Sequence, residues 1–417
     1  MSRSPSETRR GPRDGGLVVI LLVASILTML NSASFPALVP VLQQQWGLTN
    51  TEAGLISGIF YFGYICAVPF TVSLTDHIDA KRIYLVALLI TAAAGLAFAL
   101  FAQGFWSALL ARGLAGAGMA GTYMPGLRLI TDRTAPERHP RWIAVYTATF
   151  SLGTSVSYVA TIEFADYAGW QGALLLGAAG ALVSAAMILP VPGHAHAALS
   201  GRFHLPNMRP VLKNARALRY IALYGLHNWE LFAFQSWIVA YLTWSGVQAA
   251  AGPDWPKWVS WITGLFLVAS MFASIACAEL AMRFGRPRVI AAVMALGLVV
   301  SIFAGAGAYL PIWATVLACL LFSMLTMADS AAITTGAMFA AADGQRGITL
   351  AVHSIVGFSG GLVGPFVVGV VLDATTTASG QVSWLAGFLA MAMGSLGGLI
   401  LLALTRREPS AVLPRDP

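Results

Sequence analysis

The sequence predicts an all-α polytopic membrane protein with twelve transmembrane helices in two six-helix halves. Three observations lead to this prediction. The chain is 58% hydrophobic and only 10% charged, with a mean hydropathy of +0.75, a composition typical of polytopic membrane proteins. Its apolar residues form long runs without period-two alternation, which favours helices over strands. Its Lys and Arg residues lie mainly in every second connection between these runs.

Twelve apolar runs can be counted, and each is long enough to cross a hydrocarbon core, which takes about 20 residues. A segment in lipid must satisfy its backbone hydrogen bonds internally, so we interpret every run as a helix. The runs occupy residues 17–42, 53–74, 83–103, 106–131, 142–166, 170–190, 218–244, 258–281, 287–308, 311–339, 347–372 and 383–405. The first is too long for a signal-peptide core, so we expect an uncleaved span.

The basic residues predict the orientation. Apart from Arg112, which lies inside an apolar run, 22 of the other 23 Lys and Arg lie in or beside the N-terminal tail, the even-numbered connections or the C-terminal tail. Only Lys257 falls on the opposite side. The positive-inside rule therefore places both termini in the cytoplasm. Low Lys and high Arg and Ala usage favours a bacterial plasma (inner) membrane, with the protein as a multi-pass component.

A long connection rich in Pro and basic residues divides the chain. We predict five segments in order: a cytoplasmic N-tail, an N-terminal six-helix half, a cytoplasmic central loop, a C-terminal six-helix half and a cytoplasmic C-tail, at 1–16, 17–190, 191–217, 218–405 and 406–417. The halves resemble repeats, because segments 72–82 and 278–288 each join the second and third spans of their half. Internal symmetry of this kind is typical of secondary transporters, whose substrate sites lie near the bilayer midplane.

These features together resemble the major facilitator superfamily over nearly the whole chain. The family's loop pattern Gly-x-Leu-Ala-Asp-Arg-x-Gly-Arg-Arg is matched in part after span 2 and again after span 8, and its span-4 pattern Arg-x-x-x-Gly-x-Gly-x-Ala is matched in span 4. The matching residues are Leu74, Asp76, Lys81 and Arg82; Leu280, Ala281, Arg283, Gly285, Arg286 and Arg288; and Arg112, Gly116, Gly118 and Ala120. The first loop lacks both glycines, and the second has Met282 in place of Asp. The resemblance implies that spans 1, 4, 7 and 10 line a central cavity.

An embedded arginine is the first candidate site residue. Arg112 lies about six residues into span 4, about 9 Å from its outer end at 1.5 Å per residue. Asn31 of span 1 and Glu163 of span 5 reach a similar depth. Arg112 either extends to the interface or pairs structurally with Glu163, or it contacts an anionic substrate or exchanges partners during transport. Arginine suits an anion because it stays charged and binds a carboxylate at two points.

Span 7 carries a polar group at 227–230, and two later spans add further titratable residues. His227 and Glu230 share a helix face. Buried carboxylates and imidazoles can exchange protons in the physiological range, so we predict that proton coupling uses Glu230 and Asp329, with Glu163 and His353 as further candidates. The alternative is that these groups form structural hydrogen bonds. Trp229 and Tyr61 are candidates for substrate contact, together with Arg112, Asn31 and Glu230.

A cytoplasmic gate is predicted around Asp76. A carboxylate there can interact with the positive N-terminal end of a helix, and the resemblance implies span 11, which begins near Arg346, as its partner. Lys81 and Arg82 would then position the loop. The alternatives for Asp76 are a helix N-cap or a solvated charge.

The leading functional hypothesis is a secondary active transporter that moves a small organic solute by alternating access. We expect coupling to protons and favour an organic anion as substrate. The alternative is a drug or metabolite–proton antiporter for efflux, although span 5 lacks the proline of the family's antiporter motif. A channel or a transporter-like sensor is a more remote alternative. The sequence contains no HExxH motif and no phosphate-binding loop, so we expect no enzymatic activity, cofactor, metal or nucleic-acid partner. We expect a monomer in the lipid bilayer.

Overall fold

The computed structural model describes residues 13–193, 207–378 and 380–405, and within these ranges all regular secondary structure is helical. Most of the predicted N-tail, residues 194–206 of the central loop, and the C-tail lie outside the described residues. The α-helices are α1 (Arg13–Met29), α2 (Ser34–Trp46), α3 (Asn50–Leu74), α4 (Ala80–Phe101), α5 (Phe105–Thr131), α6 (His139–Ile188), α7 (Arg209–Leu212), α8 (Ala215–Gln248), α9 (Trp255–Phe284), α10 (Arg286–Gly305), α11 (Ile312–Ala328), α12 (Ser330–Ala340), α13 (Arg346–Ala374) and α14 (Trp384–Leu404).

The twelve predicted spans correspond to these helices. Helices α1 and α2 form one broken span, as do α11 and α12. Helix α6 contains two spans, because Gly169 has the non-helical backbone angles φ 71° and ψ 174°. Nine of the described helices are long and apolar enough to cross a membrane. The α5 and α8 spans are long enough but less apolar, since they carry Arg112 and the polar group at 227–230.

The described chain forms two compact units. The first comprises the described residues within Met1–Leu48, Ile59–Pro206 and Lys257–Val268, and the second comprises those within Thr49–Gly58, Asn207–Pro256 and Ala269–Pro417. Helices α3 and α9 therefore contribute residues to both. The core of the first unit includes buried side chains from α1, α4, α5 and α6, and that of the second includes side chains from α8, α10, α12 and α14. The predicted segment boundaries stay predictions.

Small residues allow the helix backbones to approach closely. In the first unit, a side chain at Gly116 of α5 would collide with the backbone carbonyl of Phe60 on α3. In the second unit, Gly360 and Gly364 of α13 lie against the backbone of α8 in the same way. Small residues in facing helices are what close packing in a membrane requires, because lipid provides no hydrophobic force between helices.

Candidate functional site

Arg112 lies at the break in the first span. Its side chain is only 2% exposed. Nη1 donates a hydrogen bond of 2.9 Å to the carbonyl of Asn31, and Nη2 donates one of 3.0 Å to the carbonyl of Ser32. The guanidinium also lies 4.5 Å from the ring centroid of Phe60, in cation–π contact. Arg112 is thus buried and makes three contacts, two with backbone carbonyls and one with an aromatic ring.

The break itself has a local cause. Pro36 has no N–H, so it cannot donate to the carbonyl of Ser32 four residues earlier, and its ring crowds that carbonyl. Arg112 supplies the donor that Pro36 lacks. The same arginine therefore satisfies backbone groups that the broken helix leaves open, as any membrane-embedded break requires.

The positive charge of Arg112 has no carboxylate partner among the described residues. No ion pair there joins it to Glu163, which is half-buried and has one carboxylate oxygen without a hydrogen-bond partner. The Nε of Arg112 is likewise buried and unpartnered. Carbonyl dipoles and an aromatic face stabilise the charge but do not neutralise it. The region remains electropositive, a property that favours an anion.

Asn31 and Tyr61 lie close to this arginine. The Asn31 amide is 4% exposed and donates a long hydrogen bond of 3.5 Å to the carbonyl of Thr91. A cavity of about 10 Å³, lined in part by Asn31 and Phe60, has room for about one water molecule. Tyr61 is half-buried, follows Phe60 in α3 and interacts electrostatically with Arg112. These neighbours make the first unit's candidate site polar.

The second unit contains a buried imidazole–carboxylate pair. Nδ1 of His227 on α8 lies 2.7 Å from Oδ1 of Asp329, and each residue is 3% exposed. Asp329 lies at the junction between α11 and α12, where the tenth span breaks. The other ring nitrogen of His227, Nε2, is buried without a partner. The pair is therefore shielded from bulk water and has one imidazole nitrogen without a hydrogen-bond partner.

Aromatic stacking places His353 beside this pair. The ring of Tyr224 lies parallel to His353, with a centroid distance of 3.8 Å, and 5.6 Å from the ring of His227. Nε2 of His353 lies 3.3 Å from the hydroxyl of Thr334, whereas its Nδ1 has no partner. The two imidazoles and the carboxylate thus form one buried polar cluster.

Glu230 lies three residues after His227 on α8 and is 4% exposed. One of its carboxylate oxygens accepts a short hydrogen bond from the hydroxyl of Ser395 on α14, and the other has no partner. Trp229 is half-buried, and its indole N–H donates a 3.0 Å hydrogen bond to the carbonyl of Ala390. The structure thus brings His227, Asp329 and His353 together, with Glu230 on the same helix as His227.

The predicted gate residues lie near helix ends. Asp76 is exposed, and its carboxylate lies 3.8 Å from Nη1 of Arg128. Nζ of Lys81 donates hydrogen bonds of 2.7 and 2.6 Å to the carbonyls of Leu189 and Val191. Lys81 thus holds the chain as it leaves α6. Arg82 and Arg346, at the starts of α4 and α13, are exposed.

Sequence reasoning missed several polar residues. Asp79 caps α4 through the N–H of Lys81 and forms a nearly buried ion pair with Arg133, with an N–O distance of 2.8 Å. An Asp directly before a predicted helix is an N-cap signal that could have indicated this role. Tyr224 and Ser395 were also missed, and nothing in their spacing sets them apart from other Tyr and Ser in apolar runs.

Comparison with known proteins identifies similar membrane transporters. Residues 20–253 match the family model of the Major Facilitator Superfamily. Among curated proteins, the sphingosine-1-phosphate transporter SPNS2 of Xenopus tropicalis is 24% identical over 54% of this chain and 45% of its own length. Human protein spinster homolog 1 is 25% identical over 39% of this chain and 31% of its own length. The matched part of the chain covers less than half of each of these relatives.

Solved structures resemble the chain over nearly all its length. A mutant of the nucleoside transporter NupG has a TM-score of 0.75 at 16% identity and covers 93% of this chain and 99% of its own. A bacterial homolog of the human lysosomal transporter Spinster, inward-facing and occupied, has a TM-score of 0.73 at 14% identity, with 94% and 95% covered. At this identity the likeness shows the fold, while the family model covers more than half of the chain. The chain therefore belongs to the Major Facilitator Superfamily, a family of secondary transporters and not of enzymes.

Proposed function

We propose that this protein is a proton-coupled secondary transporter of a small organic anion, working by alternating access. The buried His227–Asp329 pair, with a 2.7 Å separation, is the observation that carries this proposal. The pair has one ring nitrogen without a partner. Arg112 would attract the anion, with Asn31, Tyr61, Trp229 and Glu230 as further contacts.

The proton step follows from the chemistry of the pair. A carboxylate hydrogen-bonded to a neutral imidazole carries a net charge of −1, and the pair becomes a carboxylate–imidazolium pair with no net charge when it binds one proton. Burial in a low dielectric makes these two states differ strongly in energy. Proton binding would therefore favour one conformation of the α11–α12 break over another. A difference in proton affinity between two conformations is what couples proton binding to a conformational change. Glu230, His353 and Glu163 would take secondary roles in the proton path.

The preference for an anion rests on Arg112. An unneutralised guanidinium near a helix break attracts carboxylates and phosphates, and it repels lipophilic cations. The relatives' names include a phosphate ester and a nucleoside as cargo, so a ligand panel should include both chemistries.

We also propose the cytoplasmic gate of Asp76, Lys81, Arg82 and Arg346, with both termini in the cytoplasm of a bacterial inner membrane. The hydrogen bonds from Lys81 to the carbonyls that follow α6 support a role for Lys81 in positioning the loop between α3 and α4.

Ligand-induced thermal stabilisation of the purified protein tests the substrate class. A ligand that binds the native state raises its apparent stability by mass action. The panel compares small carboxylates, phosphate monoesters, nucleosides and lipophilic cations. We expect stabilisation by anions that is lost in Arg112→Gln and partly kept in Arg112→Lys, which retains the charge. Stabilisation by bulky cations alone would contradict the proposal and favour efflux.

Proton coupling is tested with the stabilising ligand in proteoliposomes that contain a pH-sensitive dye. We expect ligand addition to drive a proton flux in the wild type that disappears in Asp329→Asn. Asp343→Asn is the matched control, because Asp343 is exposed in the connection between α12 and α13. Proton flux that survives in Asp329→Asn would remove this pair from the mechanism, and facilitated transport without any proton flux would refute coupling itself.

A further inference from the structure

Helices α9, α10 and α11 of the second unit enclose a lateral groove of about 620 Å³. Its walls come from α9 and α10, and its floor is formed by Leu325 and Ala328 of α11. The lining is apolar except for the thiol of Cys277 and the guanidinium of Arg288. The volume lies within the roughly 300–1,000 Å³ range of small-molecule sites.

The sequence explains why the groove is open. Ala276 of α9 and Ala292 of α10 line it with side chains too small to fill the space, while larger exposed residues flank it. Leu280, Phe284 and Leu296 are 46%, 61% and 52% exposed. All of these residues belong to membrane-spanning helices, so the surrounding solvent is hydrocarbon. An apolar space of this volume, open to hydrocarbon, fits a flexible acyl chain.

One end of the groove is positively charged. Arg288 is exposed in the first turn of α10, where free backbone N–H groups and the helix dipole add positive potential. Its basic neighbours have other contacts: Arg283 pairs with Glu279 at 3.0 Å, and Arg286 lies 4.8 Å from the ring centroid of Phe339. No ion pair or ring contact of Arg288 is found among the described residues, which leaves its charge available at the mouth of the groove.

We propose that this groove binds an anionic phospholipid, with one acyl chain between α9, α10 and α11 and the phosphate at Arg288 and the N-terminus of α10. The distribution of basic residues predicts that this end faces the cytoplasm, the leaflet surface on which anionic lipids attract Lys and Arg. An acyl chain gains little by moving from bilayer to groove, because both are apolar. Selectivity must therefore come from the headgroup, and one basic residue near the surface corresponds to about a fivefold preference.

Native mass spectrometry of the full-length protein tests this proposal with phosphatidylglycerol and phosphatidylcholine of identical acyl chains. We expect the wild type to retain phosphatidylglycerol about fivefold more strongly, and Arg288→Gln to reduce this preference to near parity. Arg216→Gln is the charge-matched control, because Arg216 is an exposed residue in the first turn of α8 and does not line the groove. An unchanged preference in Arg288→Gln would overturn the proposal.

Binding of the acyl chain in the groove has a separate test. Ala276→Trp fills the groove and should reduce retention of both lipids, whereas Ala295→Trp adds the same bulk at an exposed position of α10 outside the groove and should not. A phosphatidylglycerol with a photoreactive group on one acyl chain should label wild-type peptides from α9, α10 or α11. Labelling confined to other helices would refute the site, and so would crosslinking of two protein copies through this face in place of lipid labelling. Because this labelling experiment uses the wild type, it remains informative even if a variant fails to fold.

Discussion

The start of α3 is capped by a carboxylate that lies more than 300 residues later in the chain. Oδ1 of Asp373, near the end of α13, accepts hydrogen bonds from the backbone N–H of Asn50 at 3.0 Å and from its side-chain amide at 2.8 Å. Oδ2 accepts from the backbone N–H of Thr51 at 2.7 Å and from its hydroxyl at 2.5 Å. Four donors at a positive helix end thus converge on one negative group. We predict that Asp373→Asn destabilises the protein.

The magnitude follows from what the substitution removes. Asparagine keeps one acceptor oxygen but turns an NH₂ group toward two of the four donors, and it removes the charge. Hydrogen bonds to a charged group contribute about 1.5–3 kcal/mol, compared with about 1 kcal/mol for neutral ones. Because Asp373 is half-buried, water compensates for part of the loss. The net expectation is a decrease of about 2 kcal/mol in the free energy of unfolding.

Thermal unfolding in detergent measures this effect, which corresponds to a decrease of about 2–5 °C in Tm. The matched control is Glu52→Gln in the same helix turn. Glu52 and Thr49 form a reciprocal capping box through hydrogen bonds of 2.9 and 3.1 Å, and glutamine retains the acceptor. Thr51→Val removes one donor of the Asp373 cluster and should have a smaller effect. A Tm for Asp373→Asn equal to that of Glu52→Gln would refute the reasoning.

Two further predictions concern packing and charge in the first unit. Arg133→Gln should lower the free energy of unfolding by about 2–4 kcal/mol, because it removes the guanidinium that pairs with the nearly buried carboxylate of Asp79. The double variant with Asp79→Asn should recover part of the loss, and additive losses would contradict the pairing. Gly116→Val should abolish folded expression, because the valine side chain would collide with the carbonyl of Phe60. Gly104→Ala is the control, since Gly104 has open space around it and this variant should express normally. Fluorescence-detected gel filtration measures both variants.

The sequence predicted the spans well and the partners of the polar residues poorly. A run of about 20 apolar residues is a strong signal, because lipid leaves the backbone few alternatives to a helix. The burial of Arg112 followed from its place in such a run. Its partners could not be predicted, since they are the backbone carbonyls of Asn31 and Ser32, which become acceptors only where the first span breaks.

The second unit shows the same limit. The polar group around His227 was visible in the sequence, but its bond to Asp329 depends on how two distant helices pack. Ser395, the partner of Glu230, lies in an apolar run with no charge or spacing to mark it. The cap by Asp373 was missed for the same reason, as no local pattern connects the end of α13 to the start of α3.

The partners of Arg112 raise the question of why this position is charged. Two carbonyls at a helix break need two donors, and a neutral side chain such as an amide can supply them. A buried guanidinium instead costs at least about 2.5–3.5 kcal/mol to place in a membrane span. Among the described residues no carboxylate neutralises it, and the two carbonyls and the ring of Phe60 stabilise the charge without cancelling it. A charge that is costly and exceeds what the break requires supports the proposed anionic substrate over a purely structural role for Arg112.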